Sequence, residues 1–144
     1  MKGRILGVDF GDARTGLALS DISGFLASGA GTIKSTSFLK TAEGVCEIAR
    51  KNSVVKIVLG HPINMNGTLG PRAEKAEAFK EHLEKMLDIP IELFDERLST
   101  SNAHTMLNIT NTRGQKRKEI IDEMSACLIL QSYLDRERNR GNNG

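Results

Sequence analysis

The spacing of apolar residues along the chain predicts five strands and four helices. Short runs of apolar and β-branched residues are typical of strands, whereas apolar residues that recur every three or four positions are typical of helices. The predicted strands cover residues 4–10, 17–20, 25–33, 54–60 and 91–96. The predicted helices cover residues 38–49, 71–86, 101–109 and 119–138. This order predicts an α/β fold with a mixed five-stranded sheet flanked by helices, in which three antiparallel strands are followed by two parallel ones.

Length and composition are those of one globular domain. The chain has 144 residues, of which 39% are hydrophobic and 26% charged. These values exclude a disordered, collagen-like or membrane-spanning chain. We expect a single domain over residues 1–138 and a flexible polar tail over residues 139–144. Because no apolar run approaches the ~18 residues of a spanning helix and the first ten residues contain no signal segment, we expect a cytoplasmic protein that does not contact a membrane.

The charge is nearly balanced overall but unevenly distributed. A net charge of +2 is too small by itself to identify a nucleic-acid binder. Basic residues are concentrated in residues 113–118 and 136–140, on either side of the last predicted helix. These two clusters could contact phosphates, or they could be a solvated face and a frayed tail.

Acidic residues end the first and last predicted strands. Asp9 follows an apolar run, where an unpaired carboxylate costs several kcal/mol. Asp95 and Glu96 follow another such run, at the edge where open α/β sheets bind ligands. Strand alternation predicts that these two point to opposite faces of the sheet, so that one of them faces the site. Simpler roles are a turn cap for Asp9 and a local ion pair with Arg97 for Asp95 or Glu96.

A further carboxylate lies on the apolar side of the last predicted helix. Helical spacing places Asp122 on the same face as Ala126 and Ile129. Its simpler role is to stabilise the positive end of the helix dipole. Taken together, Asp122 and the acids at the strand ends predict a site for a hard cation such as Mg²⁺ or Mn²⁺. Two such ions roughly 4 Å apart can promote attack of water on a phosphodiester.

Four segments of the chain resemble the signature blocks of a known family. They are VDFGDARTGLALSD (8–21), VLGHPINMNGTLGPRAEKAEAF (58–79), FDERLSTSNA (94–103) and KRKEIIDEMSACLILQSYLD (116–135). In this order they resemble the YqgF family, also called RuvX or Holliday junction resolvase-like, and they cover nearly the whole chain. The resemblance implies an RNase H-like fold and a nuclease related to the RuvC resolvases. In bacteria this family is linked to maturation of the 5′ end of 16S ribosomal RNA.

The same resemblance implies roles for the acidic residues. Asp9 matches the acid on the first strand of RNase H-like nucleases, Asp122 the acid of the final helix, and Glu96 or Asp95 the acid after the last strand. We favour Glu96, because RuvC-type nucleases use a glutamate at that place. The implied catalytic residues are Asp9, Glu96 and Asp122, and the implied ligands of Mg²⁺ or Mn²⁺ are these three together with Asp95.

Basic residues near these acids could bind a nucleic-acid strand. The candidates share a position close to an acid, to the glycine-rich loop 66–70 or to the last helix: Arg14, Arg72, Arg97, Lys116, Arg117 and Lys118. Aromatic residues are only 4% of the chain, so we expect contacts to the backbone rather than stacking on bases. His61 is a further candidate, for proton transfer.

The main hypothesis is a metal-dependent endonuclease that acts on structured nucleic acid. The substrate is either a ribosomal RNA precursor or branched DNA, and a Holliday junction resolvase would be expected to form a homodimer, since two symmetric cuts need two sites. One alternative is an RNA-binding assembly factor without catalysis. Another alternative is an ATPase of the actin or sugar-kinase type, because the segment DFGDARTG also resembles the first phosphate-binding loop of those proteins. Such proteins enclose ATP between two domains, however, and this chain supplies one.

Overall fold

The strands form one mixed sheet in the computed structural model, which describes residues 3–98 and 114–143. The strands in this part of the chain are β1 (Arg4–Asp9), β2 (Arg14–Ser20), β3 (Ala27–Lys34), β4 (Val54–His61) and β5 (Ile91–Asp95). The helices are α1 (Phe38–Lys51), α2 (Pro71–Met86) and α3 (Gly114–Asn143), and a 3₁₀ helix spans Glu96–Leu98.

The order of strands across the sheet is β3-β2-β1-β4-β5. The first three strands form an antiparallel meander, and β4 and β5 add to it in parallel with β1. The predicted fold, three antiparallel strands followed by two parallel ones, is therefore confirmed. Because β1, β4 and β5 run in the same direction, Asp9, His61 and Asp95 all lie at one edge of the sheet.

Each face of the sheet is covered by helices. Leu6, Val8 and Ile57 belong to a core that α1 and α2 close with residues such as Val45 and Phe79. The opposite face packs on α3 through a core formed by Ala18, Val58, Phe94, Ala126, Ile129, Leu130 and Tyr133. The predicted inward face of the last helix is thus confirmed. None of the helices in the described ranges is both long and apolar enough to cross a membrane.

A glycine in β2 lets α3 approach the sheet at backbone distance. A Cβ atom at Gly16 would lie 1.9 Å from the backbone oxygen of Asp122. At Gly7 in the neighbouring strand β1, a Cβ would lie 2.8 Å from the Cβ of Leu130, which is further along the same helix. The two glycines therefore determine how closely α3 packs on β1 and β2.

Several element boundaries differ from the predictions, among them the three that follow. The strand predicted over residues 91–96 ends at Asp95, because Glu96 begins the 3₁₀ helix. The strand predicted over residues 17–20 begins at Arg14, since main-chain pairing with β3 continues beyond the apolar run as far as Arg14 and Lys34. Helix α3 extends beyond residues 119–138 at both ends. The helix predicted over residues 101–109 lies outside the described residues.

Candidate active site

Asp9 and Glu96 lie together at the edge of the sheet, on the side covered by α3. Asp9 is the last residue of β1, and Glu96 follows β5 in the 3₁₀ helix. The carboxylate of Glu96 passes over Gly60, since a Cβ there would lie 2.7 Å from Glu96 Oε2 and 2.8 Å from the Cδ1 atom of Ile129. Gly60 therefore leaves room for Glu96 beside α3.

The electrostatics of this pair disfavour two negative charges. Burial, followed by the charge of Glu96, raises the pKa of Asp9 to about 7, and Asp122 adds a smaller effect in the same direction. The guanidinium of Arg72 lowers the pKa of Asp9 but does not offset the other effects. Burial also raises the pKa of Glu96, against the opposing charges of Arg72 and His61. Two neighbouring carboxylates with raised pKa values are typical of catalytic and cation-binding sites.

Asp95 has a different environment from Glu96. Its carboxylate accepts hydrogen bonds from Nε of Arg97 at 3.1 Å, from Nη2 at 2.8 Å and from the Arg97 backbone N–H at 2.9 Å. The hydrogen bonds from Arg97 lower the pKa of Asp95. Asp95 and Arg97 thus form the local ion pair that was the simpler role for this segment, and Glu96 is the carboxylate that lies near Asp9.

Asp122 is held by a strand residue rather than by the helix dipole alone. Nε of Arg14 donates to Oδ2 of Asp122 at 2.7 Å, and both side chains are partly buried. Within the described ranges, no three His, Cys, Asp or Glu side chains are placed to hold one metal ion together. Of the four predicted ligands, Asp95 pairs with Arg97 and Asp122 pairs with Arg14.

The basic candidates differ in their surroundings. Arg14 and Arg97 pair with Asp122 and Asp95, whereas the charge of Arg72, at the start of α2, acts on both Asp9 and Glu96. Lys116, Arg117 and Lys118 lie on the first turns of α3, not in the loop that was expected to precede it.

A groove of about 500 Å³ leads from Glu96 along the loop between β4 and α2. It is lined by Pro62, Ile63, Asn64, Met65, Gly70, Pro71, Arg72, Glu96 and Arg97. The backbone N–H and the hydroxyl of Thr68 both donate to Oδ1 of Asn66, which holds the loop in place. Met65, at the tip, is 88% exposed.

Two glutamates near the site make contacts that were not predicted from the sequence. Glu77 Oε2 lies 2.7 Å from Nε2 of His61, a contact that orients the imidazole at the end of β4. Glu77 follows the buried Ala73 by four residues, so helical spacing could have placed it toward the sheet. Glu123 accepts a hydrogen bond from the backbone N–H of Gly31 at 2.9 Å, which ties the start of α3 to β3.

Comparisons with solved structures define the class of the fold. RuvC from T. thermophilus, solved in complex with a Holliday junction substrate, superimposes with a TM-score of 0.59 at 11% identity and covers 94% of this chain and 96% of its own. A fowlpox virus resolvase, solved with Holliday junction DNA, gives a TM-score of 0.53 at 12% identity, with 93% of this chain and 98% of its own covered. The chain thus has the RNase H-like fold of the resolvases, as predicted.

Comparisons with sequences define the family. The family model described as "RuvX: Holliday junction resolvase" matches residues 3–136, and the chain belongs to this family. A protein of Caldanaerobacter subterraneus named "Putative pre-16S rRNA nuclease" is 46% identical over 138 residues, which cover 94% of this chain and 99% of the relative. A protein of Bacillus subtilis with the same name is 46% identical, with 92% and 97% covered. The predicted family is confirmed, and the predicted class of enzyme, a nuclease, is the class that the relatives' names state.

Proposed function

We propose that this protein is a divalent-metal-dependent endonuclease that hydrolyses phosphodiester bonds during maturation of the 5′ end of pre-16S ribosomal RNA in the cytoplasm. The observation that carries the proposal is the pair formed by Asp9 and Glu96, two carboxylates with raised pKa values at the ligand-binding edge of the sheet. The names of the relatives support the choice of RNA substrate.

The donor set fits a hard cation. Asp9 and Glu96 offer the oxygen ligands that Mg²⁺ and Mn²⁺ prefer, and burial raises the pKa of both carboxylates. Asp122 would be the third ligand once Arg14 leaves it. A metal ion bound there would supply the positive charge that stabilises a phosphodiester as water attacks it.

The surrounding residues would bind and orient the nucleic-acid strand. Arg72 lies where the groove meets the two carboxylates, so its guanidinium can contact the phosphate beside the cleaved bond. The first turns of α3, with Lys116, Arg117 and Lys118, add basic residues for phosphates further along the strand. These contacts would position the backbone rather than read the bases.

Cleavage should require Glu96 more than Asp95. Glu96→Gln is expected to lower the cleavage rate by at least about 10²-fold, because it removes a charge next to Asp9. Asp95→Asn should cost less, because that carboxylate is bound by Arg97. The measurement is Mg²⁺-dependent cleavage of a precursor 16S RNA fragment and of a four-way DNA junction by both variants and the wild type.

Each outcome of this comparison identifies one function. Cleavage of the RNA alone supports the proposal, whereas cleavage of the junction alone would identify a resolvase, the activity that the family description names. Cleavage of neither substrate, with equal binding by the wild type and Glu96→Gln, would identify an assembly factor. The exposed Glu81 of α2 provides the control: Glu81→Gln should cleave like the wild type.

Sedimentation of the same samples tests the expected homodimer.

Cleavage at limiting Mg²⁺ should fall as the pH decreases below 7. The metal ion competes with protons for Asp9, whose pKa is about 7, and for Glu96, whose pKa is also raised. For each carboxylate, the apparent metal affinity should decrease by up to about tenfold per pH unit below its pKa, and additional Mg²⁺ should restore part of the rate. Initial rates from pH 8 to pH 5 at two Mg²⁺ concentrations measure this. A rate independent of pH over this range would contradict a carboxylate-bound metal.

A further inference from the structure

The ion pair between Arg14 and Asp122 occupies the carboxylate that would complete the metal site. Arg14 begins β2, and strand alternation places it on the same face as Gly16 and Ala18, the face that packs on α3. Gly16 brings the backbone of Asp122 against this strand. The side chain of Asp122 therefore lies beside Arg14, and Nε reaches Oδ2 at 2.7 Å.

A guanidinium and a divalent ion on the same carboxylate would repel each other. The side chains of Arg14 and Asp122 are only 32% and 20% exposed, so water screens their charges less than at an open surface. In the described ranges, no three acidic or histidine side chains come together as metal ligands.

Arg14 has an alternative partner when a nucleic acid is bound. Guanidinium groups bind phosphate oxygens with two parallel hydrogen bonds, and part of the Arg14 side chain is accessible to such a group. A phosphate that takes the guanidinium would leave Asp122 available to a metal ion. Binding of the strand and binding of the metal would then favour each other by the same factor.

We propose that Arg14 couples substrate binding to metal binding: it holds Asp122 out of the metal site until a phosphate of the nucleic-acid strand binds its guanidinium. This inference rests on the proposed metal-dependent nuclease activity. It makes Arg14 a positioning residue, which acts through Asp122, and it makes the strand itself the component that completes the site. The protein alone then binds its metal ion weakly.

The test is Mn²⁺ affinity, measured by electron paramagnetic resonance with and without RNA. The RNA is a precursor 16S 5′ fragment with phosphorothioate linkages that resist cleavage. The wild type should bind Mn²⁺ about 5- to 100-fold more tightly when the RNA is present. Arg14→Gln should bind Mn²⁺ without RNA more tightly than the wild type does, and should gain little when RNA is added. Arg14→Lys, which keeps the charge but not the two-pronged geometry, should be intermediate.

A matched control separates this effect from a loss of positive charge in general. Arg4, which begins β1 and donates to the backbone oxygen of Ser20 at 3.2 Å, lies at the opposite end of that strand from Asp9. Arg4→Gln should keep the wild-type response to RNA. Circular dichroism of each variant verifies the fold.

The possible failures are distinguishable. If the wild type binds Mn²⁺ and Arg14→Gln binds it with the same affinity and the same response to RNA, the coupling is wrong and the proposed nuclease is unaffected. If Arg14→Gln binds Mn²⁺ more weakly than the wild type without RNA, Arg14 supports the site rather than restraining it, and the coupling is again wrong. If the wild type binds no Mn²⁺ with or without RNA, the proposed function and the coupling both fail.

Discussion

Asp9→Asn is expected to lower the cleavage rate strongly and, at the same time, to make the folded protein more stable at pH 8. Asp9 is the carboxylate whose charge the fold disfavours most clearly, because burial and the charges of Glu96 and Asp122 raise its pKa to about 7. The amide of asparagine is nearly the same shape and carries no charge. We expect the cleavage rate to fall by at least about 10²–10³-fold, since the proposed metal site loses a charged ligand.

The sign of the stability change follows from the two protonation states. The pKa of Asp9 is about 7 in the folded chain, compared with 3.8 for an unperturbed aspartate, so the folded protein binds the proton more tightly than the unfolded chain does. This group therefore adds stability as the pH falls from 7 toward 4, and its ionised form lowers stability at pH 8. Removing that charge should raise the free energy of unfolding at pH 8 by about 2–4 kcal/mol, and the difference should shrink near pH 4.

Thermal unfolding without added metal measures this effect. The expected change at pH 8 is a rise in Tm of about 5–15 °C for Asp9→Asn, and a much smaller rise at pH 4. Asp12→Asn is the matched control, because Asp12 lies three residues further on and its ion pair with Lys75 is exposed, so its Tm should hardly change. If Asp9→Asn unfolds or is less stable at pH 8, Asp9 is a structural residue and not a ligand.

Gly16→Ala is expected to destabilise the fold and to lower cleavage although it adds only one methyl group. That methyl would lie 1.9 Å from the backbone oxygen of Asp122 and 2.4 Å from its carbonyl carbon, so α3 must move away from β2. Backbone atoms cannot rotate aside as the end of a side chain can. We expect a loss of about 3 kcal/mol or more in the free energy of unfolding. Because the movement displaces Asp122, cleavage by the folded fraction should also fall, by about 10²-fold.

Urea unfolding and cleavage rates, compared with those of Gly44→Ala, test this prediction. Gly44 lies inside α1, and the three atoms nearest to a Cβ there are side-chain atoms of Ile33, of which Cδ1, at the flexible end of that side chain, is nearest at 2.9 Å. Alanine is also favoured over glycine in a helix by about 1 kcal/mol. Gly44→Ala should therefore be about as stable as the wild type or slightly more stable. Wild-type stability of Gly16→Ala would show that α3 is not fixed against β2.

Local patterns were sufficient for the order of elements and for the faces they bury. The helical spacing of Ala126 and Ile129 predicted the side of the last helix that packs on the sheet, and both are buried there. Ser37, at the start of the predicted helix over residues 38–49, accepts a hydrogen bond from the backbone N–H of Lys40 as a helix cap. Such features depend on residues close in sequence, which is why they can be read from one chain.

The acidic residues show which features of the site could not be predicted from the sequence alone. The sequence by itself determined that Asp9 and Glu96 follow strands ending at one edge of the sheet, because strand direction follows from the order of elements. It did not show that Glu96 belongs to a 3₁₀ helix, nor that Arg97 takes Asp95 and Arg14 takes Asp122. Arg14 and Asp122 are 108 positions apart in the chain, and they meet only because Gly16 lets α3 lie against β2. Tertiary packing decided the pairing of Arg14 with Asp122, since it depends on the distance between β2 and α3, which no local pattern specifies.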